Sequence, residues 1–245
     1  MGNVQKRKDD LVRMKNNVPS VYYPAFLNIR DRRCVVIGGG EVALRKVRAL
    51  LECGAQVTVI SPAFHPTLVQ LAEAGRITPI YREFEPGDLA GALIAIASTD
   101  VREVNQKVAD EARDQGVLVN VVDSSEQSDF IIPSSLRRGG LSVAISTGGM
   151  SPALARKIRT KLEGIFGEEF ALLLSVIADV RSALKLKGIV ANADAWQKAL
   201  DLDLLIGLVQ AGQLEEARAA LLSELGAQGG GKEGVRGAGS SLQKG

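Results

Sequence analysis

Apolar runs alternate with segments of helical periodicity along the first half of the chain. The stretches 34–37, 92–97 and 117–122 are almost entirely apolar, which is typical of strands buried on both faces of a sheet. Between such strands, apolar residues recur every three or four positions and predict amphipathic helices that end at Gly54 and Gly116. This alternation predicts an α/β fold with a Rossmann-like parallel sheet and right-handed crossovers.

The second half of the chain has a different pattern. Phe130–Ile132 is strand-like and runs into a loop, and Leu141–Ser146 alternates with period two, which predicts a half-buried strand outside the main sheet. Ser151 followed by Pro152 marks a helix start. From Glu168 onward the periodicity is helical, so we expect a small helical subdomain after the sheet.

A glycine-rich turn joins the first predicted strand to the first predicted helix. Gly38, Gly40 and Ala43 fit the pattern G-x-G-x-x-G/A, in which glycines let the backbone approach a pyrophosphate and a small third residue allows close packing. The anion then lies at the helix N-terminus. A purely structural glycine turn is the alternative, but the strand at Gln56–Ile60 completes a strand–helix–strand unit of the size expected for a dinucleotide site.

The second predicted strand ends without the acidic residue that usually contacts the ribose. Ser61 stands there, so we expect the ribose contact to come from a hydroxyl or from backbone groups. No arginine lies beside Ser61 to receive a 2′-phosphate, and the choice between NAD and NADP stays open at this point. Because ligands bind at the carboxyl ends of parallel strands, the residues at these ends are the predicted cofactor contacts: Gly38, Gly39, Gly40, Glu41, Val42, Ser61, Pro62, Ala63, Ser98, Thr99 and Asn120.

The composition of the chain limits the classes of protein to which it can belong. A net charge of +2 and a hydrophobic fraction of 46% are ordinary for a globular protein, and neither indicates nucleic-acid binding or global disorder. No apolar run approaches the roughly 18 residues of a membrane span, and the basic N-terminus lacks the apolar centre of a secretory signal, so we expect a cytoplasmic protein. Cys34 and Cys53 are too few for a disulfide framework and are expected to be reduced.

Two familiar dehydrogenase chemistries lack their residues. Tyr22, Tyr23 and Tyr81 are not followed by lysine four positions later, so the acid–base pair of short-chain dehydrogenases is missing. One histidine and two separated cysteines do not make a catalytic zinc site, which needs three protein ligands. We therefore expect no resident metal, and His65 is expected to lie at the surface or beside the cofactor.

Six motifs in order resemble one family, the N-terminal module of siroheme synthase, which is a precorrin-2 dehydrogenase and ferrochelatase. The resemblance is dense from Tyr22 to Phe166 and looser beyond. The motifs are Tyr23–Leu27, Val36–Lys46, Ala97–Asp100 with Asn105, Asn120–Asp123, Phe130–Ser134 without Ile132, and Ser146–Ala155.

The resemblance implies NAD-dependent oxidation of precorrin-2 to sirohydrochlorin, commonly followed by insertion of ferrous iron. It also implies a homodimer that exchanges strands through a central segment, which Leu141–Ser146 matches here. Ferrous or cobaltous ion would then be a substrate. A dehydrogenase without chelatase activity remains an alternative, and so does a regulatory module that binds NAD without catalysis.

Together these patterns predict five regions in the chain of 245 residues. They are a disordered tail at 1–20, an NAD-binding Rossmann domain at 21–132, a dimerisation region at 133–167, a helical subdomain at 168–226 and a disordered tail at 227–245. The basic residues of the first tail are expected to be solvated, with an anionic partner as the alternative.

Asp123 is the best-placed carboxylate for catalysis, since it follows the last clear strand of the sheet. It also matches the catalytic aspartate proposed for the family, and a simple loop cap is the alternative. A substrate rich in carboxylates needs cations and amide donors, although a basic helix face is often merely solvated. The predicted substrate contacts are Ser146, Thr147, Gly148, Gly149, Ser151, Arg137, Arg138 and Arg156.

Overall fold

The computed structural model of the protein describes residues 21–229. The predicted tail at 1–20 and residues 230–245 of the second predicted tail lie outside the described residues. Within the described part, residues 21–132 and 147–151 form a first compact unit, and residues 133–146 and 152–229 form a second. The regions predicted at 133–167 and 168–226 thus share one unit, apart from the short segment Thr147–Ser151.

The first unit is a parallel sheet of five strands in the order β3-β2-β1-β4-β5, with helices between the strands. The predicted α/β, Rossmann-like fold class is confirmed. Its elements are β1 (Arg33–Ile37), α1 (Glu41–Glu52), β2 (Gln56–Ile60), α2 (Pro66–Glu73), β3 (Thr78–Ile80), β4 (Ile94–Ala97), α3 (Arg102–Gln115) and β5 (Leu118–Val121).

Both faces of this sheet are covered by apolar side chains. On one face, α1 packs Leu44 and Val47 against Val36 and Val59, and all four are buried. On the other face, α3 contributes Val108 to a second cluster. A fully buried side chain of this size contributes about 1.5–3 kcal/mol, so the two clusters explain why the central strands are continuous apolar runs.

The outer edge of β5 is closed by the loop that follows it. The N–H of Val119 donates to Asp129 Oδ2 over 2.9 Å, and the N–H of Asp129 donates to the Val119 carbonyl over 2.8 Å. Further along, the N–H of Val121 donates to Ser128 Oγ over 2.9 Å. These bonds satisfy an edge that would otherwise be open to pairing with another chain.

The second unit begins with an antiparallel hairpin of β6 (Ser134–Arg138) and β7 (Leu141–Ile145). Strand β7 is where the period-two pattern predicts it. Strand β6 differs from the prediction, which had a strand-like piece at Phe130–Ile132 and a loop after it. Pairing with β7 explains the shift, because it buries Leu136 opposite Val143 and makes a strand of a polar sequence.

Five helices complete the second unit. They are α4 (Pro152–Glu163), α5 (Glu169–Leu186), α6 (Ala193–Ala199), α7 (Leu202–Gln210) and α8 (Leu214–Gly229). Helix α4 packs against the hairpin, and α5 to α8 enclose a core that includes Val180, Leu205 and Leu221. Across residues 21–229, none of the helices combines the length and apolar character needed to cross a membrane.

Candidate cofactor and active site

Gly38 makes the sharp turn at the carboxyl end of β1. Its φ of +117° lies in the region that favours glycine, and a Cβ atom there would stand 2.6 Å from the carbonyl oxygen of Ser98. The N–H of Gly38 donates to the Ile60 carbonyl over 2.9 Å, and the N–H of Ser98 donates to the Ile37 carbonyl over 2.8 Å. The turn therefore packs against the ends of both neighbouring strands.

Gly39 brings the turn after β1 against the loop after β2. The N–H of His65 donates to the Gly39 carbonyl over 2.7 Å. An added Cβ on Gly39 would overlap the Ala63 carbonyl, so only glycine fits here. The two loops that form a dinucleotide cradle in this fold class are thus in direct contact.

Gly40 is different, because it faces open space. It is the N-cap of α1, its backbone is extended, and nothing lies within 4 Å of a Cβ built on it. No side chain caps α1, so the first N–H groups of the helix are available to an anion. Ala43 is fully buried and lets the helix sit close to the sheet. These features fit the pyrophosphate of a dinucleotide.

Several predicted cofactor residues use their side chains inside the protein. The buried Ser61 hydroxyl donates to the Ala63 carbonyl over 2.8 Å, and Ser98 Oγ donates to the Ile37 carbonyl over 3.0 Å. Asn120 is also buried, and its amide donates to the Phe130 carbonyl over 2.9 Å. The Thr99 hydroxyl donates to Asn105 Oδ1 over 2.9 Å. These side chains shape the strand ends, where Pro62 and Ala63 are exposed.

The sequence predicts only that His65 lies at the surface or beside the cofactor. The structure shows which residues it contacts. Its Nε2 lies 3.2 Å from Glu41 Oε2, and its Nδ1 accepts from the N–H of Thr67 over 3.1 Å. It is therefore the N-cap of α2 and a link between α1 and the loop after β2. The sequence signal that could have found it is a histidine directly before a helix-starting proline.

Asp123 lies in the turn directly after β5, at the same edge of the sheet as the glycine turn. It is exposed and has a φ of +61°, which is uncommon for a residue other than glycine. Such strain is found more often at functional sites than elsewhere.

Lys46 on α1 is a residue that the sequence prediction of the site missed. Burial lowers the pKa of this ammonium, Arg45 lowers it further, and the charge of Asp123 acts in the opposite direction. The carboxylate of Asp123 therefore acts on a half-buried cation in the same unit. The available signal was the Arg45-Lys46 pair inside the glycine motif.

The predicted substrate loop Thr147–Ser151 packs with the first unit. Gly148 and Gly149 both have positive φ, at +62° and +85°. The N–H of Ser151 donates to Thr147 Oγ1 over 3.0 Å, which closes the turn ahead of α4. Ser146, by contrast, belongs to the second unit and is exposed.

The predicted substrate arginines lie in the second unit and differ in their surroundings. Arg138 is half-buried, with its Nε 3.3 Å from Glu168 Oε1, and Arg137 is exposed on the same strand. Arg156 is exposed on α4, and no carboxylate of the described residues pairs with it. Within residues 21–229, no cluster of three or more His, Cys, Asp or Glu side chains could hold a metal ion.

Two family models match the chain. Residues 25–134 match the model described as putative NAD(P)-binding, and residues 138–164 match the model described as the sirohaem biosynthesis protein central region. Residues 25–134 are therefore an NAD(P)-binding domain, as the glycine turn predicts.

Curated relatives and a solved structure agree with these matches. The chain is 41% identical over 210 residues to a siroheme synthase of Methylobacillus flagellatus, a match that covers 84% of this chain and 44% of the relative. It is also 41% identical over 206 residues to a siroheme synthase of Nitrosococcus oceani, covering 83% and 44%. A structure named SirC, precorrin-2 dehydrogenase, has a similar fold, with a TM-score of 0.65, 23% identity, and coverage of 84% of this chain and all of that one. The chain spans less than half the length of the curated relatives.

Proposed function

Because the chain belongs to the family of the siroheme synthase N-terminal module, we propose that it oxidises precorrin-2 to sirohydrochlorin with NAD as the hydride acceptor. One observation carries the proposal: the open space at Gly40 and the uncapped N-terminus of α1 share a sheet edge with Asp123. Ligands of such sheets bind at this edge. A cofactor cradle and a carboxylate suited to proton transfer therefore occur on the same side of one domain.

The residues of the glycine turn would hold the cofactor. The N–H groups at the start of α1 bind the pyrophosphate, and Gly40 leaves room for it. When bound, NAD accepts the hydride, and the protein supplies position and a proton acceptor.

Asp123 accepts the proton that the substrate loses as the hydride leaves. An exposed carboxylate at the strand end can reach a ring system bound over the sheet edge. The two-electron oxidation then balances, with one hydride to NAD and a proton to Asp123.

The carboxylates of the tetrapyrrole need cationic and amide partners. Arg156 is the stronger candidate among the arginines, since Arg138 already lies beside Glu168. The exposed Gly149, with its positive φ, brings the backbone of the loop Thr147–Ser151 to the surface of the unit that contains the cofactor site. We propose that both bind substrate carboxylates.

The oxidation is tested by incubating the purified chain with precorrin-2 and NAD and following NADH and sirohydrochlorin together. Equal amounts of the two products support the proposal. Binding of NAD without turnover of precorrin-2 would favour the regulatory module instead. Omitting NAD, or supplying NADP in its place, gives the matched controls.

We propose that sirohydrochlorin can also receive a ferrous or cobaltous ion on this protein, with the metal as substrate. The support is the family alone, and sirohydrochlorin, the product of the proposed oxidation, is the tetrapyrrole that would receive the metal. Sirohydrochlorin incubated with either ion, with and without protein, tests it by the change in absorption. A rate equal to that without protein means a dehydrogenase without chelatase activity.

We propose a homodimer built through the second unit. Among the described residues the hairpin of β6 and β7 has only two strands, and Ile158 on α4 and Ile165 just after α4 remain 36% and 55% exposed. A two-stranded sheet with open edges is stabilised when a further strand pairs with it. Exposed apolar side chains are stabilised when another surface buries them. A second copy of the chain would supply both.

A cytoplasmic location remains our prediction for this protein. It rests on the metabolic role proposed above. Fractionation of cells, followed with an antibody to the protein, tests it.

A further inference from the structure

The loop after β2 has no side chain free to accept a ribose hydroxyl in the usual way. Dinucleotide folds place an Asp or Glu at this strand end, where it binds the 2′-hydroxyl of the adenosine ribose. Here the position is Ser61, and its hydroxyl is buried and donates to the Ala63 carbonyl over 2.8 Å. The segment 61–64 contains no Lys or Arg that could receive a 2′-phosphate.

A carboxylate nevertheless reaches this loop from another element. Glu41 is the first residue of α1, and its Oε2 lies 3.2 Å from His65 Nε2. The Glu41 side chain is 78% exposed, so the carboxylate keeps acceptor positions that a ligand can reach. The contact therefore places a carboxylate of α1 beside the loop after β2.

His65 is held firmly enough to position that carboxylate. Its backbone N–H donates to the Gly39 carbonyl over 2.7 Å, and its Nδ1 accepts from the N–H of Thr67 over 3.1 Å. Because Nδ1 acts as the acceptor in this network, the proton of the neutral ring is assigned to Nε2, which then donates to Glu41. The ring is thus fixed on both nitrogens.

We propose that Glu41, positioned by His65, replaces the missing acid of the second strand, accepts the 2′-hydroxyl of the adenosine ribose and so selects NAD over NADP. The inference rests on the proposed cofactor placement at Gly38–Val42. A 2′-phosphate would bring negative charge toward the Glu41 carboxylate, with no cation in 61–64 to offset it. Glu41 acts as the specificity residue, and His65 is a positioning residue.

Direct binding of NADH and NADPH, followed by nucleotide fluorescence, tests the inference without any tetrapyrrole. The variants are Glu41→Gln, which removes the charge, and His65→Asn, which keeps a cap for α2 but loses the contact to Glu41. Glu103→Gln is the matched control, since Glu103 is an exposed acid in the first turn of α3.

The parent protein is expected to bind NADH more tightly than NADPH. Glu41→Gln should weaken NADH and strengthen NADPH, so that the ratio of the two dissociation constants changes by about threefold to tenfold, the range for an exposed charge. His65→Asn should change the ratio in the same direction by less, and Glu103→Gln should leave it unchanged.

Two results overturn the inference. One is an unchanged ratio in Glu41→Gln, and the other is an equal change in affinity for both nucleotides, which would mean that Glu41 acts only on the helix N-terminus. Failure of the proposed oxidation is a separate outcome, because the binding ratio can shift as expected in a protein that does not turn over precorrin-2. A parent protein that binds neither nucleotide would refute the cofactor site and this inference together.

Discussion

A Cβ atom placed on Gly39 would stand 1.9 Å from the carbonyl oxygen of Ala63. The same atom would lie 2.8 Å from Ser61 Oγ, so the overlap is with the backbone and with a buried hydroxyl at once. The loops after β1 and β2 therefore fit together only through a residue without a side chain. The close contact between these two loops sets the spacing of the predicted cofactor cradle.

Replacing Gly39 with alanine should destabilise the first unit. The neighbouring carbonyl belongs to the backbone and has to move, which typically costs about 1–3 kcal/mol for an overpacked position. Denaturant unfolding of the variant should show a lower midpoint than the parent. Gly40→Ala is the comparison and should differ by no more than about 1 kcal/mol, the range for an N-cap change. Equal stabilities of Gly39→Ala and the parent would contradict the close approach.

Replacing Gly40 with valine should abolish NAD binding and leave the fold intact. The new side chain would enter the open space at the N-terminus of α1, where the pyrophosphate is expected, without meeting any protein atom near its Cβ. Calorimetry with NADH measures the loss, and circular dichroism checks the fold. Gly207→Val on α7 is the control, since a Cβ there also meets nothing within 4 Å and lies in the second unit. Unchanged affinity in Gly40→Val would refute the placement.

Local patterns were enough to predict the parallel sheet. The apolar runs of β1, β4 and β5 and the glycines that end α1 and α3 act over a few residues, and the strands form where those runs predict them. Strand β6 could not be predicted in this way. Its polar residues form a strand because β7 lies beside it, and such pairing leaves no trace in the pattern of β6 alone.

The details of the candidate site depend on contacts between distant residues. Ser61 and Asn120 stand at the right strand ends, yet their side chains bond to the carbonyls of Ala63 and Phe130. The contact between Glu41 and His65 crosses from α1 to the loop after β2. Sequence spacing predicts which residues come to the sheet edge, but it does not predict which hydrogen bonds their side chains make.

Asp88 should make the stability of the first unit depend on pH. Its carboxylate accepts from Arg82 over 2.7 and 2.8 Å and from the N–H of Glu85 over 2.8 Å. The hydrogen bond with Arg82 is the main cause that holds the pKa of Asp88 below its usual value, while partial burial opposes it. The carboxylate therefore stabilises the fold above the unfolded pKa of about 3.9, and this contribution is lost as the pH falls through the lower folded value.

Asp88→Asn should thus be destabilised by about 1–2 kcal/mol at neutral pH. The difference from the parent should shrink as the pH falls below about 4, where the parent carboxyl becomes protonated. Urea unfolding from neutral pH to below about pH 4 measures the destabilisation and its decrease in acid. Asp110→Asn is the control, because Asp110 forms an ion pair with Arg113 that is largely exposed and is expected to contribute little. A difference that persists in acid would mean that packing, and not charge, explains the loss.

Negative charge in place of the exposed isoleucines Ile158 and Ile165 should separate the proposed dimer into monomers. Ile158→Glu combined with Ile165→Glu would place carboxylates on the surface that a second copy is expected to cover. Light scattering should give half the parent mass at micromolar concentration. Leu186→Glu is the control, since Leu186 is an exposed leucine at the end of α5 and should leave the mass unchanged. A monomeric parent protein would defeat the dimer proposal directly.

Asp123 gives the sharpest test of the catalytic proposal. If its carboxylate accepts the proton, Asp123→Ala should lose about 10²–10⁴ in the rate of precorrin-2 oxidation while NADH binding stays close to that of the parent. Asp123→Asn distinguishes a role of the carboxylate charge from a role of the residue in forming the turn. Asparagine tolerates the positive φ at this position and keeps the side-chain shape. Both variants should then be equally slow. An active Asp123→Asn with a slow Asp123→Ala would assign Asp123 to the turn, and the parent rate in both would leave proton loss to solvent. A defect confined to metal insertion would instead place Asp123 in the handling of the pyrrole protons, with hydride transfer set by the geometry of Gly38–Val42.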